Sequence, residues 1–311
     1  MSNNNLNKVA VVTGANKGLG FALVKKLCEQ FHGTVYLTSR DSTRGLEGCK
    51  VLENLGLKPA YHQLDVTDNN SVKQFIKYIQ KNHGKIDLLI NNAGILFLKD
   101  CVESKSYQAE QTLFVNFFSL VNFTEGILPL ISNGGAIVNI SSSSGHLSRI
   151  PSEELRRKIK REDLCLDELK KLMKEYVDAV KEGREETDGW GNSPYVVSKV
   201  GVNAYTFMLH RRLVDRGISV NCVHPGYVQS DMTHGAGNIA PADAAKVPAG
   251  LALRPPGSGL YVWHNGSAVA WDGRDPRERT FHKMGNHSIN MQICYTHNVF
   301  QHTCEEKQNN S

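Results

Sequence analysis

Tyr195 and Lys199 stand four residues apart in Ser193-Pro194-Tyr195-Val196-Val197-Ser198-Lys199, at the head of an apolar-periodic stretch. Helical spacing stacks the phenol and the ammonium on one face. A free phenol titrates near about 10, and a cation within a few ångströms lowers such a value by roughly 1–3 units. The pair could therefore exchange a proton close to neutral pH. A tyrosine and a lysine at this spacing are common in helices, so the chemistry depends on what surrounds them.

Three upstream segments supply that setting. Thr13-Gly14-Ala15-Asn16-Lys17-Gly18-Leu19-Gly20 follows the apolar run Val9-Ala10-Val11-Val12 and precedes the helix-like Phe21-Ala22-Leu23-Val24. A strand, a glycine turn and a helix N-terminus in that order aim backbone N–H groups and the positive helix end at a pyrophosphate. Asn91-Asn92-Ala93-Gly94 follows Ile86-Asp87-Leu88-Leu89-Ile90, and Asn139-Ile140-Ser141-Ser142 follows Ala136-Ile137-Val138. Both lie where parallel strands end, and ligands of open α/β sheets bind outside those carboxyl ends. Strands are predicted near 9–13, 34–38, 60–64, 87–91, 136–141, 219–223 and 259–263, with helical patterns between them. Right-handed crossovers then give a doubly wound parallel sheet of the Rossmann type, with helices on both faces.

From about Lys8 to Trp271 the chain resembles the short-chain dehydrogenase/reductase family, and within it the monomeric carbonyl reductases. The glycine motif, the Asn-Asn-Ala-Gly turn, the serine and the Tyr-x-x-x-Lys pair stand in the family's order. Leu37-Thr38-Ser39-Arg40-Asp41 and His62-Gln63-Leu64-Asp65 add to the likeness. The resemblance implies reduction of ketones, aldehydes or quinones with NADP(H). Tyr195 would protonate the carbonyl oxygen, Lys199 would lower the phenol's pKa and bond the nicotinamide ribose, and Ser142 would donate to the same oxygen. Asn116 matches the asparagine of the proton relay. The serines at 141, 143 and 144 leave a one-residue register shift open. Alternatives are an alcohol- or hydroxysteroid-type dehydrogenase and a non-catalytic NADP-binding regulator.

The cofactor groove implied by the resemblance comprises Gly14, Asn16, Lys17, Gly18, Leu19, Gly20, Asp65, Val66, Asn92, Ala93, Gly94, Pro225, Gly226 and Val228, besides Tyr195 and Lys199. NAD-selective members end the second strand with an acid for the ribose hydroxyls, and an arginine replaces it where a 2′-phosphate must fit. Here Ser39-Arg40-Asp41 follows that strand, so the acid comes late. Lys17, Arg40 and Arg44 supply cations, and NADP is favoured. Asp65 has a plainer reading as a helix cap. On the substrate side are Ser142, Tyr195 and Tyr227, the last standing where a tryptophan is usual. His224 is read as a packing or hydrogen-bonding residue.

Tyr195 follows Ser142 by 53 positions, far more than most of the family allows. The intervening segment, about 150–190, carries Leu166, Leu169, Leu172, Met173, Tyr176, Val177 and Val180 at amphipathic-helix spacing. It resembles the insertion that covers the oligomerisation surface in monomeric carbonyl reductases, so a monomer is expected. Residues 1–271 are read as one catalytic domain and 272–311 as a polar, poorly ordered tail.

A chain of 311 residues, 40% hydrophobic, can bury a core of this size. Seven cysteines without a Cys-x-x-Cys motif predict reduced thiols and a cytoplasmic protein. No N-terminal apolar leader and no apolar run of membrane-spanning length are expected. The net charge of +5 is modest, and the basic run Arg156 to Arg161 is followed at once by Glu162 and Asp163. It is read as a solvated helix face, without a nucleic-acid partner. Cys294, His297, His302 and Cys304 do not match structural zinc spacing, so no metal is expected.

Overall fold

A computed structural model of the chain describes residues 8–98 and 100–277. Chain order runs β1 (Val9–Val12), α1 (Gly18–Gln30), β2 (Thr34–Ser39), α2 (Ser42–Asn54), β3 (Ala60–Gln63), α3 (Asn69–Asn82) and β4 (Ile86–Asn91). There follow α4 (Lys105–Leu113), a π-helical turn (Phe114–Ser119), α5 (Leu120–Ile127), β5 (Ile131–Ile140), α6 (Glu153–Ile159) and α7 (Leu166–Lys181). The chain continues with α8 (Pro194–Leu213), β6 (Ser219–His224), α9 (Pro241–Ala244), α10 (Lys246–Leu253) and β7 (Tyr261–Trp263).

All seven strands join one parallel sheet in the order β3-β2-β1-β4-β5-β6-β7. After β1 the chain winds outward to β2 and β3, then returns to place β4 on the other side of β1. The crevice of such a sheet opens at that reversal, outside the carboxyl ends of β1 and β4. Strand side chains alternate between faces. Val9, Val11, Leu89, Ile137 and Val220 enter one core with α3, α5 and α8, while Ala10, Val12, Leu88, Ile90 and Val138 enter the other with α1, α2 and α10.

Two strands differ from the expected limits by more than one residue. β5 starts at Ile131, where it pairs with Ile86 before a bulge, and Gly134-Gly135 lies inside it although that dipeptide reads as a turn. A side chain at Gly135 would stand 2.8 Å from the Asp87 carbonyl oxygen, so the glycine permits a close strand approach. β7 starts only at Tyr261. Gly259, at φ 72°, turns the chain against the His210 ring just before it.

The inserted segment folds as α6 and α7. On α7, Leu169, Leu172, Met173, Tyr176, Val177 and Val180 are buried against α4 and α8, each such side chain contributing about 1.5–3 kcal/mol. The segment's ends meet: Ser152 N donates to the Gly189 carbonyl oxygen at 3.0 Å.

The helical stretch Lys105–Leu130, 26 residues long, holds an 18-residue window of mean hydropathy 1.4 that is apolar enough to cross a membrane, and half of that window is buried inside the protein. Its polar residues are scattered, so no unbroken apolar run marks it in the sequence.

The described residues up to Asp275 pack as one unit. Asp272 pairs with Lys160 at 3.1 Å, and Trp271 Nε1 donates to the Gly145 carbonyl oxygen at 2.7 Å. Of the polar tail read over 272–311, residues 278–311 lie outside the described residues, and with them Cys294, His297, His302 and Cys304.

Candidate active site

The glycine turn after β1 and the Asn92-Ala93-Gly94 turn after β4 are bonded into one floor. Thr13 Oγ1 accepts from Asn92 N and Ala93 N, both at 3.0 Å. Asn92 Nδ2 donates to the Thr13 and Gly14 carbonyl oxygens at 2.9 and 3.0 Å. There is no room for side chains here. A Cβ on Gly20 would stand 2.5 Å from Asn92 Nδ2, and one on Gly14, at φ 61°, would stand 2.9 Å from Ala93 Cα.

Above this floor α1 presents its N-terminus. Lys17 occupies the N-cap position without a side-chain capping bond, and no acidic residue lies in the first turn. The helix-end N–H groups are thus left for an anion. A cleft of about 580 Å³ opens there, lined by Asn16, Lys17, Gly18, Arg44 and Asp231 among others. Arg44 is exposed at the start of α2, and Arg40 is exposed just before it without lining the cleft. Asp41, the late acid, is the N-cap of α2 and accepts from Arg44 N at 3.0 Å. Its carboxylate is turned to its own helix, away from the end of β2. These residues fit a nicotinamide dinucleotide with a 2′-phosphate.

Asp65 does not cap α3. Its Oδ1 accepts from Thr67 N at 2.9 Å and from Thr67 Oγ1 at 2.6 Å, and the cap is Asp68. Val66 packs partly buried against the core.

The first turn of α8 brings the candidate acid to the end of β5. Ser193 caps the helix and Pro194 takes its first position, where the missing N–H costs nothing. The Ser142 hydroxyl stands by the Tyr195 phenol and favours its ionised form, and it accepts from Ser144 N at 3.1 Å. Ser141 faces elsewhere, its Oγ donating to Asn203 Oδ1 at 2.6 Å. Lys199 Nζ lies 5.6 Å from the Tyr195 ring centroid and donates to the Ile140 carbonyl oxygen at 2.8 Å. Gly94 adjoins both Lys199 and Asn116: a Cβ there would stand 3.9 Å from Lys199 Nζ and 3.1 Å from Asn116 Oδ1.

Asn116 sits in the π-helical turn, a distortion frequent at functional sites. Its amide bonds both backbone polar groups of Ile95, Oδ1 accepting from Ile95 N at 2.7 Å and Nδ2 donating to Ile95 O at 2.9 Å. Nδ2 also reaches Ser198 Oγ at 3.2 Å, and Ser198 Oγ donates to the Tyr195 carbonyl oxygen at 2.8 Å. Both partners lie outside its own helical turn, Ile95 in the loop after β4 and Ser198 on α8.

The electrostatics correct one expectation. Burial pushes the Tyr195 phenol above the ordinary tyrosine value, and the Ser142 hydroxyl opposes that rise. The anticipated lowering by Lys199 is not seen, because burial also drives Lys199 down to about 8 and its ammonium is directed at a backbone carbonyl.

Beyond β6, Gly226 at φ 91° makes the turn after Pro225, and a Cβ there would stand 2.3 Å from Ile239 Cδ1. Tyr227 is half-exposed, whereas Val228 is buried and pairs with Ile239. His224 packs edge-on against Trp263 at 5.2 Å, and its Nδ1 accepts from Gly226 N at 3.4 Å.

Sequence reasoning passed over several supports. Asn139 Oδ1 accepts from Asn91 Nδ2 at 2.8 Å, and Asn139 Nδ2 donates to Thr206 Oγ1 at 2.9 Å, a buried network joining β4, β5 and α8. Tyr261 Oη donates to the Ser142 carbonyl oxygen at 2.7 Å. Ser198 stands beside Lys199 in the motif but gives no sign of its bond to Asn116. Asp231 pairs with Lys17, and nothing in its local sequence points there.

The short chain dehydrogenase family profile matches residues 8–152 and 183–238. The chain belongs to this family. The stretch between the two matched blocks contains α6 and α7. Among curated relatives, Carbonyl reductase [NADPH] 3 of Rattus norvegicus is 39% identical over 255 residues, covering 80% of this chain and 92% of the relative. Carbonyl reductase [NADPH] 1 of Homo sapiens is 38% identical over 253 residues, covering 80% and 91%. Among solved structures, salutaridine reductase from Papaver somniferum superimposes with a TM-score of 0.75 at 31% identity, covering 82% of this chain and 99% of that one.

Proposed function

We infer that this short-chain dehydrogenase is an NADPH-dependent carbonyl reductase. The observation that carries the reading is Ser142 set against the Tyr195 phenol with Lys199 beside the ring, at the end of the sheet that also presents the uncapped N-terminus of α1. The names of the relatives at 38–40% identity support both the cofactor and the substrate class.

The glycine turn with Asn16, Leu19, Asn92 and Ala93 would seat the dinucleotide, with Lys17, Arg40 and Arg44 toward its 2′-phosphate. Asp65 and Val66 would border the adenine, and Gly94, Pro225, Gly226 and Val228 the nicotinamide. When bound, the cofactor supplies the hydride that reaches the carbonyl carbon. Ser142 and Tyr195 hold the carbonyl oxygen between their hydroxyls, and the phenol gives it a proton. Burial keeps that phenol protonated through neutral pH, the form that reduction requires. Lys199 bonds the ribose and holds positive charge beside the phenol, and Asn116 with Ser198 fixes the first turn of α8. Tyr227 offers an aromatic shelf for flat ketones and quinones.

The test is NADPH consumption across a carbonyl panel that includes menadione and isatin, with NADH run in parallel at equal low concentration. Faster turnover with NADPH is expected. Silence across the panel, or a preference for NADH, would overturn the corresponding part of the reading.

The same reading makes the chain a cytoplasmic monomer. Support comes from the five described cysteines being free thiols and from α7 covering α4 and α8 with its apolar face. Light scattering is expected to give the mass of one chain, 34.5 kDa; a stable tetramer would refute the assignment.

A further inference from the structure

The loop after β6 is fastened to the glycine turn by charge. Lys17 Nζ and Asp231 Oδ2 form an ion pair between segments 214 positions apart, and both residues line the cleft before α1. Asp231 is presented by a stiff turn. Ser230 N donates to Thr233 Oγ1 at 3.1 Å, Thr233 Oγ1 donates to the Val228 carbonyl oxygen at 2.8 Å, and His234 closes the turn at φ 47°. Ser230 Cβ lies 3.7 Å from where a Cβ on Gly18 would stand. The carboxyl is held below its ordinary range by the Lys17 bond first, with Arg44 adding to the effect. Within the cleft, Lys17 and Arg44 are matched by Glu47 and Asp231. A groove read as the seat of a phosphate therefore has counter-charge built into its wall.

We propose that Asp231 is a specificity-determining residue: it occupies Lys17 in the free protein and must yield it to the 2′-phosphate of the cofactor. The inference rests on the cofactor reading above. A phosphate monoester near pH 7 carries close to two negative charges and three acceptor oxygens, so it outcompetes a single carboxylate for an ammonium. A dinucleotide without that phosphate offers Lys17 nothing equivalent and leaves the pair in place. Both side chains are largely exposed, at 58% and 75%, so the pair is weak enough to be displaced. Asp231 thus lowers the affinity for NADPH without preventing binding.

Asp231→Asn retains the side-chain volume and removes the charge. NADPH and NADH are titrated separately against full-length protein, with binding read from quenching of tryptophan fluorescence. The Kd for NADPH is expected to fall about three- to fivefold, the scale of one exposed ion pair, while that for NADH stays unchanged. The gain should shrink in high salt. In a Lys17→Ala background, Asp231→Asn should have no effect on NADPH. Weaker NADPH binding, equal gains for both cofactors, or a gain that survives without Lys17 would each overturn the proposal. Wild-type protein that binds the two cofactors equally would sink the cofactor reading and this inference together. Clear wild-type preference for NADPH with an inert Asp231→Asn would sink the inference alone.

Discussion

Tyr195→Phe is expected to lower kcat for carbonyl reduction by about 10²- to 10⁴-fold, the range of a lost general acid, while NADPH still binds. The ring of the variant fills the same space in the first turn of α8, so only the hydroxyl and the influence of Ser142 on it disappear. The pH profile gives a second readout. Since burial raises the phenol's pKa, wild-type reduction should persist through neutral pH and decline only on the alkaline side, as the proton is lost. The residual activity of Tyr195→Phe should lack that alkaline limb. Turnover retained by the variant would remove Tyr195 from the chemistry. Loss of NADPH binding along with activity would point to a structural defect instead, and circular dichroism distinguishes the two.

Lys199→Met is expected to reduce turnover by about 10²-fold or more and to change how stability depends on pH. Lys199 is buried, and its pKa falls from the ordinary lysine value of 10.5 to about 8. A depressed lysine favours the neutral form in the fold. Between those two values the unfolded chain binds more protons than the native one, so stability rises with pH through the window from about 8 to 10.5. The contribution from this group is about 3 kcal/mol, relieved at the alkaline end. In the cofactor-free methionine variant, the rise in Tm across that window should flatten. An unchanged slope would show that Lys199 keeps an ordinary pKa in the folded chain. The bond from Nζ to the Ile140 carbonyl oxygen is lost as well, which makes the slope a cleaner measure than Tm at a single pH.

The elements framing the site could be read from the chain because period and punctuation agreed in each. Val9 to Val12 is a fully buried strand followed by a glycine turn that only glycines can make. The amphipathic spacing from Leu166 to Val180 produces α7 with those residues inward. What escaped notice depends on partners distant in sequence. Asp65 reads like a cap, but Asp68, three residues on, has the better position for α3. The direction of the Tyr195 shift could not follow from a four-residue spacing, because it depends on how much protein surrounds the phenol and the lysine together. Asp231 finds Lys17 only because the sheet carries the ends of β1 and β6 to the same rim. The buried contact of Asn91 with Asn139 is likewise a product of strand register, and that of Asn139 with Thr206 of how α8 packs on the sheet.

The junction at Ser152 and Gly189 has a consequence for engineering. Its backbone bond of 3.0 Å, and the left-handed Gly189, whose Cβ would stand 2.5 Å from Ser152 Cβ, bring the two ends of the excursion together, so its interior length scarcely affects the entropy of closing it. The excursion is in effect a cassette. Grafts that keep the apolar face α7 packs on α4 and α8 could be exchanged between those two positions, altering what the molecule displays to its surroundings while Ser142 and Tyr195 keep their distance.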